Sequence, residues 1–179
     1  MSITFISCGS TSSSPSDSKS ESSSSESTAS GDTIPIGVIS PSSGALSDYG
    51  IAVNNAIALA IDEINASGGV LGKQIKATYL DDKHDSAEAV NCYNKLKGDK
   101  VVAVIGSVAS ADTSAIASVA AKDGKLILTP TSTNDAITGL GNSIFRACYT
   151  DSHQGEIMAT FASKNLKAKT AGILYNTCL

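Results

Sequence analysis

From Ile34 onward, short apolar runs alternate with helix-like segments at about 30 residues per unit, and that rhythm narrows the fold more than any other feature of the chain. A strand that is apolar at every position must be covered on both faces, and strands joined through helices run parallel. Residues 34–40 (IPIGVIS) are the first such run, closed by the loop Pro41-Ser42-Ser43-Gly44. Val53, Ile57, Ile61 and Ile64 then recur at helical spacing, and Ala66-Ser67-Gly68-Gly69 ends that helix, since glycine takes a left-handed cap without steric conflict. Residues 73–80 read as a second strand. Residues 86–97 read as a helix with Ala89, Val90, Tyr93 and Leu96 on one face, and 101–105 (VVAVI) as a continuous apolar strand. A helix over 110–122, a strand over 125–128, a strand or connector over 143–148, a helix over 151–166 and a buried strand over 171–175 (AGILY) complete the pattern. The expected class is α/β, a doubly wound parallel sheet, with the last helix and strand as the opening of a second domain cut short at Leu179.

The N-terminus is of another kind. Thirteen of the 21 residues from 10 to 30 are Ser, a composition with almost nothing to bury, so disorder is expected there. Phe5-Ile6-Ser7-Cys8, followed by Gly9-Ser10, resembles the processing site of a bacterial lipoprotein, in which the Cys carries lipid. The resemblance implies a lipid anchor at Cys8 and a Ser-rich tether after it. Only seven residues precede Cys8, fewer than a charged start and an apolar stretch of about 7–15 residues require, so the chain is expected to begin downstream of the true start. From Thr33 on, 12 basic residues face 13 acidic ones, which argues against a nucleic-acid partner. No apolar run approaches the roughly 18 residues of a spanning helix.

The residues at the strand ends favour binding over catalysis. In open parallel sheets, ligands sit outside the carboxyl ends of the strands. Here those ends are residues 40–44, 81–86, 106–110 and 129–133, most of them rich in hydroxyl groups and Gly. Gly139-Leu140-Gly141 does not extend to GxGxxG, no GxxxxGK[ST] occurs, and Gly106-Ser107-Val108-Ala109-Ser110 is not a GxSxG elbow. His84 and His153 read as solvated loop or helix-start residues, and Asp81-Asp82 as a solvated strand end. Cys92, Cys148 and Cys178 are widely spaced, and no metal or cofactor site is expected. Two roles are open to Ser110: capping its own helix, or offering its hydroxyl and the nearby N–H groups to a carboxylate. Thr131 and Thr133 are open between ligand contact and ordinary turn chemistry. Asp151 is open between an N-cap and a residue at the domain junction.

Five segments, in chain order, resemble the type I periplasmic binding proteins of the branched-chain amino-acid (Leu/Ile/Val) family, the receptors of ABC importers. They are IPIGVISPSSGALSDYG, AIDEINASGGVLGKQIKATYLDDKHD, VVAVIGSVAS, LILTPTST and FRACYTDSHQG. The resemblance implies a ligand α-carboxylate on the hydroxyl and N–H groups of Ser110 and Thr133. It places the α-ammonium on the Thr131 carbonyl, the Thr133 hydroxyl and the Asp151 carboxylate, with Tyr49 against the ligand side chain. Residues 34–150 would form an incomplete ligand-binding lobe and 151–179 the start of a second, truncated one. The implied protein is an extracytoplasmic, lipid-anchored, non-catalytic receptor that passes an aliphatic amino acid to an ABC permease. A sensor of the same fold for amides, urea or another small solute is the alternative, and an enzyme is not expected.

Overall fold

A computed structural model describes residues 33–175; the expectations for Cys8, for the Ser-rich segment up to residue 32 and for Cys178 lie outside the described residues. The first apolar run forms β1 (Ile34–Ser40), and α1 (Ser47–Ala66) leads from it to β2 (Ile75–Asp81). Then come α2 (Ser86–Gly98), β3 (Ala103–Ile105), α3 (Ser110–Asp123) and β4 (Leu126–Thr129). A 3-10 turn at Ile137–Leu140 precedes β5 (Ile144–Arg146) and α4 (Asp151–Lys164). All four strand pairings are parallel, in the order β2-β1-β3-β4-β5.

This order decides where each helix lies. The crossover from β1 to β2 travels one way along the sheet, and those from β2 to β3 and from β3 to β4 travel the other way. With right-handed crossovers, α1 therefore covers one face and α2 with α3 the opposite face. The second face holds the core, in which Ile39, Val104 and Ile127 of the sheet pack with Tyr93 and Leu96 of α2 and Ile116 and Ala120 of α3, all 0% exposed. The far ends of α2 and α3 are tied by polar contacts, because Asp123 accepts from the Tyr93 hydroxyl at 2.8 Å and from Lys97 Nζ at 2.6 Å. By contrast, Gly50 is the one buried residue of α1, and Leu59 on that helix is exposed.

Ile127 lies between Val104 and Ile144 in neighbouring strands. Ile127→Ala is expected to destabilise the fold by about 2–5 kcal/mol, the lost transfer energy plus the cavity left behind. Urea unfolding followed by circular dichroism measures it.

The segment expected as a sixth strand differs. Residues 171–175 carry no strand geometry, and Ile173, Leu174 and Tyr175 are exposed. An apolar run becomes a strand only where a ladder partner takes its N–H and C=O groups, and none of the five described strands pairs with it.

Candidate functional site

The order β2-β1-β3-β4-β5 reverses direction between β1 and β3, which opens a crevice at the carboxyl ends of those strands. A cavity of about 410 Å³ lies there, lined by Leu46, Tyr49, Val108, Ala109, Thr131, Thr133, Cys148 and Tyr149. Its walls come from the segment after β1, the loop after β3, the loop after β4 and the segment between β5 and α4. Three of the five residues singled out from sequence, Tyr49, Thr131 and Thr133, are in the wall. Ser110 and Asp151 are not among the lining residues, but both adjoin it. Ser110 follows Ala109, and its Oγ accepts weakly from the Asn134 amide at 3.4 Å. The Asp151 amide donates to the Thr133 carbonyl at 3.0 Å, which ties the start of α4 to the cavity wall.

The capping roles considered for Ser110 and Asp151 fall to their neighbours. Ala109 is the N-cap of α3, with no side-chain cap bond, so Ser110 is the first helical residue. The N–H groups of the first turn of α3 thus begin directly beyond the cavity wall, where a helix end favours an anion. Thr150 caps α4, its hydroxyl accepting the His153 amide at 3.2 Å, and this leaves the Asp151 carboxylate free of that duty. The Thr131 hydroxyl donates to the Val108 carbonyl at 2.7 Å. It joins two walls of the cavity and does not compete with a ligand role for the Thr131 carbonyl.

Of the two residues expected as a solvated strand end, Asp81 stays at the surface and Asp82 does not. Asp81 accepts from the Ser42 amide at 2.8 Å, the Ser43 hydroxyl at 2.6 Å and the Lys83 amide at 2.9 Å, closing the loop after β1 against β2. Desolvation would raise its carboxyl, but the bonds from Ser43, Lys83 and Ser42 outweigh that effect and hold it below the usual carboxylate range. Asp82 is fully buried and accepts from the Ser107 hydroxyl and, at 3.1 Å, from the His84 amide. Burial pushes its carboxyl up, the two hydrogen bonds oppose that, and the Asp112 and Asp81 charges add to the rise. A raised folded-state value means that Asp82 favours the fold below the ordinary carboxylate pKa, a contribution lost as pH climbs through the raised one.

His84 is an exposed loop residue, as expected, and its Nδ1 also lies 2.8 Å from Oδ2 of buried Asp112, whose other oxygen accepts from the Ser86 hydroxyl. Cys92 is a core thiol pushed up to about 11, mainly by burial, which disfavours its thiolate form. Among the described residues, no group of three or more His, Cys, Asp or Glu side chains is placed to hold a metal ion, and no helix is long and apolar enough to cross a membrane.

Sequence reasoning missed five lining residues. Val108 and Ala109 lie inside a loop already marked by its hydroxyl groups, and Cys148 and Tyr149 lie directly before the Thr150 cap. Leu46 carries no local signal, since its place in the wall depends on how the loop after β1 turns into α1.

The profile of the family described as periplasmic binding protein matches residues 33–177. The chain belongs to the periplasmic binding protein family. It is 36% identical over 142 residues to the Leu/Ile/Val-binding protein BraC3 of Rhizobium johnstonii, an alignment covering 79% of this chain and 39% of the relative. It is 34% identical over 146 residues to the leucine-, isoleucine-, valine-, threonine- and alanine-binding protein of Pseudomonas aeruginosa, covering 81% of this chain and 39% of that one. Among solved structures it resembles the branched-chain amino acid transporter substrate binding protein LivJ from Streptococcus pneumoniae, crystallised with isoleucine. That likeness has 39% identity and a TM-score of 0.71, and covers 77% of this chain and 40% of LivJ. The chain thus spans about two fifths of the length of the curated relatives it matches. The match confirms the α/β parallel-sheet class of periplasmic binding protein type I structures, a family of solute-binding proteins.

Proposed function

We propose that this family member is an extracytoplasmic solute-binding protein that captures an amino acid with an aliphatic side chain, delivers it to an ABC permease and catalyses no reaction. In this reading residues 34–150 form the first ligand-binding lobe, residues 151–179 open the second, and Cys8 carries a lipid anchor. The observation that carries it is the composition of the crevice at the β1/β3 reversal. Leu46, Val108, Ala109 and the rings of Tyr49 and Tyr149 offer an apolar wall. The first turn of α3 lies at one edge of this wall, and Thr131, Thr133 and Asp151 lie together at another. An amino acid needs that combination: N–H donors for its carboxylate, oxygen acceptors with one negative charge for its ammonium, and apolar surface for its side chain. The names of the relatives support the same solute class.

Isothermal titration calorimetry of the protein over its whole reading frame, with leucine, isoleucine, valine, an amide and urea, tests the proposal. Saturable binding of at least one of the three aliphatic amino acids is the expected result. Binding of only the amide or urea would move the protein to a sensor of another solute, and no binding of the amino acids would overturn the proposal.

A further inference from the structure

Beneath the cavity lies a buried lattice of hydroxyl and carboxyl groups with no role in the reading above. Asp82, Ser107, Thr113 and Thr129 are 0% exposed and Ser132 is 1% exposed. Ser107 is its centre. The Ser107 hydroxyl donates to Asp82 Oδ2. The two lone pairs of its carbonyl oxygen are taken by the Thr129 hydroxyl at 2.8 Å and the Thr113 hydroxyl at 3.0 Å. Ser132 Oγ, 2.6 Å from Thr113 Oγ1, closes the set from the loop after β4. Four segments of the chain thus converge on one residue: the loop after β2, α3, β4 and the loop that follows it.

The position of that residue matters. Ser107 directly precedes Val108 and Ala109, which wall the cavity and lead into the first turn of α3. Holding Ser107 by its hydroxyl on one side and its carbonyl on the other fixes where those two residues and the helix end stand. We propose that Asp82 and Ser107 are positioning residues for ligand binding, acting through the 106–110 loop without lining the cavity. The proposal rests on the amino-acid reading above. A loop that loses its anchor spends part of its time in positions that cannot bind, and the apparent affinity falls by the competent fraction.

Three variants of the protein, over its whole reading frame, test this by leucine calorimetry, urea unfolding and amide hydrogen exchange: Asp82→Asn, Ser107→Ala and the pair together. Each single change is expected to weaken binding about tenfold, and the pair no further, because both abolish the hydrogen bond from the Ser107 hydroxyl to a carboxylate, Ser107→Ala by deleting the donor and Asp82→Asn by leaving only a neutral amide opposite it. Asp82→Asn is expected to unfold at the same or a higher urea concentration, since it removes a buried carboxylate lying near those of Asp112 and Asp81. A merely structural role would not separate affinity from stability in that way. Unchanged affinity in both single variants overturns the proposal, and so does an affinity loss that tracks lost stability or failure of both to fold. If Asp82→Asn alone fails to fold, Ser107→Ala is judged by the same readouts. If the unsubstituted protein binds no amino acid, the ligand reading fails separately. Faster exchange of the Val108, Ala109 and Ser110 amides in the variants then still supports the positioning role, and unchanged exchange overturns it.

Discussion

Gly106→Ala is expected to destabilise the fold by about 3 kcal/mol or more, a large share of the 5–15 kcal/mol that holds a typical domain together. Two features of one residue combine. Its φ is +132°, a backbone region that side chains other than hydrogen rarely enter. A Cβ added there would also lie far inside van der Waals contact with the Ile39 carbonyl oxygen, which belongs to β1 and has no flexible end to move aside. Relief would require β1 and the loop after β3 to separate at the point where the sheet reverses direction. The Gly106 amide also donates to the Leu128 carbonyl at 2.9 Å, so β4 would be disturbed as well. With a urea dependence of about 1–3 kcal/mol per molar, the unfolding midpoint should fall by about one molar or more. Gly98→Ala is the matched control, because nothing lies within 4 Å of a Cβ at that helical position; it should leave stability unchanged or slightly raised. Equal shifts in the two variants would mean that the backbone approach at Gly106 is not tight.

The contrast between those two glycines also shows what the sequence makes legible. Local signals are strong where the cause is local. The run IPIGVIS gives β1 its observed bounds, and Ser86, Ser110 and Asp151 mark the starts of their helices because turn chemistry before a helix is written in adjacent residues. Position is harder to read than type. Asp81 and Asp82 look alike in sequence, yet one is held at the surface by a loop and the other is sealed beneath the cavity by a serine 25 residues further on. Nothing near Asp82 announces that partner. The AGILY segment fails for the same reason in reverse, since apolar character nominates a strand but only a neighbouring strand can make one. The cavity follows this division as well. Its hydroxyl residues stand out in loops at strand ends, whereas Leu46 and Tyr149 reach the wall through tertiary placement. The resemblance to a family supplied Tyr49, which spacing alone would have left among several exposed rings, and gave the helix-start residue Asp151 its ligand role.

Asp151→Ala should reduce the affinity for leucine about a hundredfold, near 3 kcal/mol at roughly 1.4 kcal/mol per factor of ten. An ammonium taken out of water loses its hydration and needs charged or strongly polar acceptors in return. Carbonyl and hydroxyl oxygens at Thr131 and Thr133 can take hydrogen bonds from it but bring no net charge. Asp151 adjoins them through its amide bond to the Thr133 carbonyl, with its own helix capped by Thr150. Removing the carboxylate would leave an ammonium with neutral partners alone, and hydrogen bonds to charged groups are the strong ones. A second acid separates this effect from general electrostatics. Asp135 accepts from the Ser152 hydroxyl at 2.6 Å, on the same turn of α4, but adjoins no lining residue through its own bonds; Asp135→Ala should change affinity less than threefold. The ligand can be varied as well as the protein. 4-Methylpentanoate keeps the carbon skeleton and carboxylate of leucine and lacks its ammonium. The unsubstituted protein should prefer leucine to it strongly, and Asp151→Ala should lose most of that preference. If the variant still discriminates between the two by the original factor, the ammonium is held elsewhere and Asp151 is not its partner.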